Sequence, residues 1–291
     1  MSAPSVLYDA PGPRARRLNA IGSVVALAAL LALAWFVYAQ LDANGQWAGE
    51  KWSPFLKGST WTTYLVPGLL STLRAAAVAA VAALLFGFVF GIGRMSTSGP
   101  VRWISGTVVE FFRSIPLLIL IIFAFYGAYG MFGQSLSAFT CVVIGLTLYN
   151  GSVLAEIVRA GIQSLPRGQS EAAQAIGLTY GQSMRLVLLP QGIRAMLPAI
   201  VAQLVVLLKD TALGYIIGYD EALNQVSKIS ANYGNVIQAS IVVAALFLAI
   251  NLMLSWFAHW LERRLSRSTT RTADPEAAAA AAAAGVNVGQ L

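Results

Sequence analysis

A chain of 291 residues would ordinarily fold as one or two soluble domains, but here 57% of the residues are hydrophobic and only 11% are charged, against about a quarter charged in soluble domains. With a mean hydropathy of +0.69, no single core can hide that apolar excess, so lipid is the solvent for most of the chain. The 19 Lys and Arg against 12 Asp and Glu give a net charge of +7, and one Cys (Cys141) with one His (His259) exclude a disulfide framework and a zinc site built from several Cys or His ligands.

A transmembrane helix needs about 20 mostly apolar residues to cross about 30 Å of hydrocarbon. Six stretches of that kind follow one another: residues 20–39, 65–93, 107–131, 136–158, 196–218 and 236–258. The predicted fold is therefore all-α, a polytopic bundle of about six membrane helices. Basic residues precede the first run, as they would in a signal peptide. Its length exceeds the 7–15 residues of a signal core, and it reads as a retained helix.

Cytoplasmic segments accumulate Lys and Arg. With the N-terminus inside, the inner segments hold 14 of the 19 basic residues: Arg14, Arg16 and Arg17; Arg94, Arg102 and Arg113; Arg159, Arg167, Arg185 and Arg194; Arg263, Arg264, Arg267 and Arg271. Both termini are expected in the cytoplasm. Residues 40–64 carry Trp47, Trp52, Trp61 and Tyr64, aromatic rings suited to the outer headgroup level. The end of the chain, with the alanine run 277–284, reads as a low-complexity tail.

Ionisable groups at membrane depth are costly and mark either helix clamps or a path. Arg74 lies in the outer half of the second span, where a snorkelling side chain is the plain alternative. In the third, Pro116 either kinks the span or begins it. Tyr149, Ser152, Glu156 and Arg159 follow one another at 3, 4 and 3 residues and form one polar stripe. Its inner end fits a gate or an i,i+3 ion pair as well as a substrate contact. Lys209 and Asp210 are adjacent in the fifth span and so point about 100° apart. Gln203 and Asp210, seven residues apart, share a face. Most glycines sit in or beside spans, where small residues let helices approach closely.

The inner loop 159–195 is the longest segment between spans. Ser170 suits an N-cap and Glu171 the positive first turn of a short helix. Gly177 suits its left-handed end. Thr179 and Gln182 have the spacing of a capping box that starts a second helix. No Gly-rich loop of the Lys-Ser/Thr type occurs, and Gly91-Ile92-Gly93 lacks the strand and helix of a dinucleotide fingerprint. The chain therefore has no ATP site of its own.

Glu171-Ala172-Ala173, then Gly177, Val187 and Leu189-Pro190 resemble the EAA signature of ABC importer permeases, with Val187 where that family has Ile. The segments Ala155-Glu156-Ile157-Val158-Arg159-Ala160-Gly161-Ile162 and Leu208-Lys209-Asp210-Thr211-Ala212-Leu213, with Gly68 to Leu73, resemble its polar amino acid uptake branch. The chain as a whole is similar to actinobacterial glutamate permeases. The resemblance covers about residues 64–262 and implies a type I importer permease domain there. Residues 1–63 would add an arm, an extra helix and an outer segment, and 263–291 a disordered cytoplasmic tail.

The resemblance further implies a non-enzymatic transport subunit for polar amino acids, foremost glutamate, working by alternating access. The loop would dock on an ABC ATPase dimer through Glu171, Ala172, Ala173, Gly177, Leu189 and Pro190, with ATP and Mg held by those partners and no cofactor on this chain. A homologous second permease chain and an extracytoplasmic substrate-binding protein complete the expected assembly. Substrate path candidates are Arg74, Tyr149, Ser152, Glu156, Arg159, Gln203, Lys209 and Asp210. The alternative, an autonomous secondary transporter or channel, needs its own coupling-ion site and an inverted repeat of broken helices. The sequence shows no such repeat.

Overall fold

The computed structural model describes residues 12–266, all of its regular structure helical. Of the tail expected over 263–291, residues 263–266 belong to the last helix, and residues 267–291 and the first 11 residues lie outside the described residues. Helix α1 (Pro13–Ala43) opens with Pro13 in its first turn, where a missing N–H costs nothing. Its 31 residues span about 46 Å. None of its side chains is buried by the rest of the chain.

Short helices α2 (Gly49–Trp52) and α3 (Gly58–Thr60) follow at the outer side. Here Trp47 stacks on Tyr38 at 5.5 Å and on Trp52 at 6.1 Å between ring centroids. This aromatic knot is tied to the outer end of the last helix. Asn235 Nδ2 donates to Lys51 O at 3.0 Å, and Gln238 donates to the Gln46 carbonyl.

Helix α4 (Val66–Gly93) buries Gly68, Thr72, Ala75, Ala76, Ala79, Ala83, Gly87 and Gly91. These residues make a small-residue face against which α7 (Ala138–Gln163) packs. The approach is close: a Cβ on Gly87 would lie 2.6 Å from Leu154 Cβ, and one on Gly91 2.8 Å from Val158 Cβ. Between them run α5 (Gly99–Ser114) and α6 (Leu117–Phe132), bent by 96° at Ile115-Pro116. Proline disfavours a helical conformation in the residue before it, so one predicted span becomes a broken one. Among the described residues five helices are long and apolar enough to cross a membrane, and six spans result when the bent pair counts as one.

Helix α8 (Arg167–Ala175) lies in the inner loop, followed by α9 (Tyr180–Ser183). The predicted second loop helix is not separate. It runs through one π turn into α10 (Leu189–Asp210), and the helical run extends from Tyr180 to Ile217. Helix α11 (Ala222–Tyr233) precedes α12 (Val236–Ser266). The main core joins α4, α6, α7 and α10 through Ile121, Val142, Leu146, Leu154, Ile200 and Leu207.

Candidate functional site

The inner loop presents a rigid knob. Helix α8 begins at Arg167 after Pro166, so Ser170 is no N-cap; its Oγ donates back to Arg167 O at 2.8 Å. Proline preceding the helix sets the start four residues earlier than the Ser-Glu pair suggested. The helix ends as expected of its glycine. Gly177 has φ +81, its N–H donates to Gln174 O at 2.9 Å, and Leu178 N–H donates to Ala173 O at 3.1 Å. This is the paired closure of a left-handed C-terminal turn.

Glu171, Ala172 and Gly177 are exposed, whereas Ala173 is 3% exposed and turned inward. In this structure Ala173 packs the loop onto the body instead of joining the outer surface. Ile176, four residues from Ala172 and so on its face, is 76% exposed. That apolar tip escaped the sequence reading, although an Ile ahead of a helix-ending Gly is a visible signal. Leu189 and Pro190 start α10 behind the knob, and Gln191 Nε2 donates to Gln169 Oε1 at 3.0 Å, fastening α8 to it.

Where the C-terminal end of α4 meets α5 and α7, charges are paired. Arg94 bridges Glu110 at 3.0 Å and Glu156 at 3.1 Å, and Arg113 pairs with Glu110 at 2.8 Å. Arg159 pairs with Glu156, its neighbour one turn away. The inner half of the stripe is thus an ion-pair network. Ser152 is buried and donates to Leu148 O at 2.7 Å within its own helix, and Tyr149 packs against the core. The stripe therefore does not act as one polar face.

Deeper in the membrane, α7 and α10 bring amides together. Gln203 Nε2 donates to the Oδ1 of Asn150 at 2.7 Å, and Asn150 is fully buried. The Asp210 carboxylate lies beside the Asn150 amide without meeting strict hydrogen-bond geometry, so Asn150 Nδ2 is a buried donor with no hydrogen-bond partner among the described residues. Asn150 was not among the predicted site residues. A lone amide in an apolar run gives no sign that a residue 53 positions away will meet it.

The remaining candidates point elsewhere. Arg74 lies 5.0 Å over the Phe139 ring, a cation–π contact. Lys209 lines a separate cleft of about 510 Å³ between α10 and α12, with Ser240, Phe247 and Asn251. It forms no ion pair with Asp210, as their 100° separation on the helix requires.

Comparison with known proteins places this geometry in a family. The glutamate transport system permease protein GluD of Corynebacterium glutamicum is 45% identical over 227 residues, covering 77% of this chain and 83% of the relative. The glutamate/aspartate import permease protein GltK of Escherichia coli is 34% identical over 69% of this chain and 93% of the relative. A solved amino acid ABC transporter, crystallised with histidines, superposes with a TM-score of 0.68 at 31% identity, covering 72% of this chain and 98% of that one. The profile of the binding-protein-dependent transport system inner membrane component family matches residues 83–267, and the chain belongs to that family.

Proposed function

We propose that this chain is the membrane-spanning permease subunit of an ATP-driven amino acid importer, with glutamate as its substrate. The observation that carries the reading is the Asn150–Gln203–Asp210 cluster, a polar site inside the bundle whose carboxylate has no cation partner among the described residues. An amino acid brings an α-ammonium, and Asp210 supplies the opposite charge. The Asn150 and Gln203 amides supply donors to carboxylate oxygens, replacing part of the hydration lost in the passage. Gln203 is neutral, so an acidic side chain meets no second negative charge there. The glutamate names of GluD and GltK support the same choice.

The knob formed by Glu171, Ala172, Ile176 and Gly177 is the dock for a cytoplasmic ATPase dimer, which binds ATP and Mg. A second permease chain and an extracytoplasmic binding protein complete the assembly, with both termini of this chain inside. The domain division at residues 64 and 262 follows from the same reading, with 1–63 as an added anchor. Arg74 stacks over Phe139 and Lys209 lines a separate cleft, which favours structural roles for both.

The test is uptake of labelled amino acids into vesicles holding the whole complex. Glutamate should enter only with ATP inside, and unlabelled glutamate should compete better than glutamine or arginine. Uptake that persists without the ATPase would overturn the reading in favour of a secondary transporter.

A further inference from the structure

The inner loop is fastened to the body at two points. The Gln169–Gln191 bond joins α8 to the helix that follows it, only 22 residues along the chain. The other reaches much farther. Tyr180, the first residue of α9, donates its hydroxyl to the main-chain carbonyl of Met95, 85 residues away at the inner end of α4. The phenol is held in place by the turn that carries it. Thr179 caps α9, its N–H donates to Gln182 Oε1 at 2.8 Å, and the Gln182 N–H returns to Thr179 Oγ1 at 3.4 Å.

Met95 adjoins Arg94, which ends α4 and bridges two other helices at 3.0 and 3.1 Å. One bridge goes to Glu110 of α5, four residues before Ser114, whose Oγ donates to the Glu110 carbonyl at 2.7 Å on the edge of the 96° bend. The other goes to Glu156 of α7, six residues inward of Asn150.

We propose that Tyr180 is the positioning residue that transmits movement of the ATPase dock, through Met95 and Arg94, to the bent α5–α6 span and to the α7 end of the polar cluster. This rests on the loop being the ATPase dock. A hydrogen bond to a carbonyl next to a shared guanidinium is a short, stiff connection. By contrast, the Gln169–Gln191 bond ties the loop to α10, its own continuation, and makes no direct hydrogen bond to α4 or α5. Because Arg94 is shared by two carboxylates on different helices, displacing the end of α4 changes both bridges together. Coupling requires an element with two arrangements, and in this proposal the bent span is that element.

Tyr180→Phe removes one oxygen and keeps the ring, so it separates transmission from packing. In the complete complex, ATP hydrolysis should stay within about twofold of the parent while uptake per ATP falls at least about fivefold. Tyr215→Phe, which removes an outer hydroxyl 3.2 Å from Ser227 Oγ, should change neither. Combining Tyr180→Phe with Arg94→Lys should lower uptake per ATP no further than the worse single change, since both break one line. If the tyrosine variant does not assemble, Arg94→Lys alone is read for the same ratio. An unchanged ratio, additive losses, or equal falls in hydrolysis and uptake would each overturn the proposal. Failure of the docking assignment itself looks different, because Glu171→Lys would then leave ATP-driven uptake intact.

Discussion

Helix α7 handles polarity in opposite ways at two depths. At its inner end Glu156 and Arg159 belong to a network in which every carboxylate meets a guanidinium. Nearer the middle, Asn150 meets only the Gln203 amide and lies beside an Asp210 that no cation bridges among the described residues. Paired charges at the water boundary hold helices together and leave nothing over for a ligand. An unpaired carboxylate and an orphan amide donor at membrane depth are costly unless something else satisfies them. The first region is therefore satisfied within the chain, and the second is the one that the proposed function assigns to substrate.

The strongest way to break that contrast is Asp210→Asn. If the carboxylate receives the substrate ammonium, losing a buried charge-assisted contact of about 3 kcal/mol lowers uptake roughly a hundredfold. The amount of assembled complex should not fall, because no partner in the chain is stranded. A loss of complex matching the loss of uptake would make Asp210 a clamp like Glu156.

A third carboxylate sharpens the comparison. Glu221 caps α11 on the outer side, fully buried, accepting from Leu223 N–H at 2.8 Å and Asn224 N–H at 2.9 Å. Burial pushes its carboxyl up to about 7 against the two N–H donors, with the neighbouring Asp220 adding to the rise. The folded state thus holds the proton more tightly than the unfolded chain, whose carboxyl titrates near 4.5. Stability should fall as pH rises from about 4.5 to about 7 and level off above, by at most about 3 kcal/mol. Thermal midpoints across that window should lose this slope in Glu221→Gln. A slope of opposite sign would show the backbone donors outweighing burial.

Arg94→Gln tests the holding region. It takes one of two guanidinium partners from Glu156 and from Glu110, which keep Arg159 and Arg113, and with these carboxylates 26% and 48% exposed solvent screens much of the loss, so about 1 kcal/mol remains. The midpoint of the complex should drop by a few degrees, and salt should narrow the gap to the parent. No effect would mean the network is decoration.

The parts legible in the sequence are those decided by neighbours along the chain. The left-handed turn at Gly177 and the Thr179–Gln182 cap follow from residues within four positions, and both are present. The six spans followed from hydropathy, and Pro116 marked the place of a break without giving its 96° angle. Ser170 misled because a Pro166 start overrode a weaker cap signal. Asn150–Gln203 and Tyr180–Met95 join residues 53 and 85 apart. Such contacts depend on how α4, α7 and α10 pack, which periodicity alone does not fix.

The smallest effect belongs to Gly177, where backbone and surface can be separated. A Cβ there would meet nothing within 4 Å, yet φ is +81. The cost of Gly177→Ala is thus conformational alone, about 1 kcal/mol. Asn tolerates the left-handed region better than Ala, so Gly177→Asn should recover most of that stability. Its side chain still projects from the exposed tip beside Ile176. If the tip is the ATPase dock, the Asn variant keeps the thermal midpoint of the parent while its uptake stays below that of the Ala variant. Should uptake instead track the midpoint through Gly, Asn and Ala, the glycine serves only the turn, and the knob beside it is one more region built to hold.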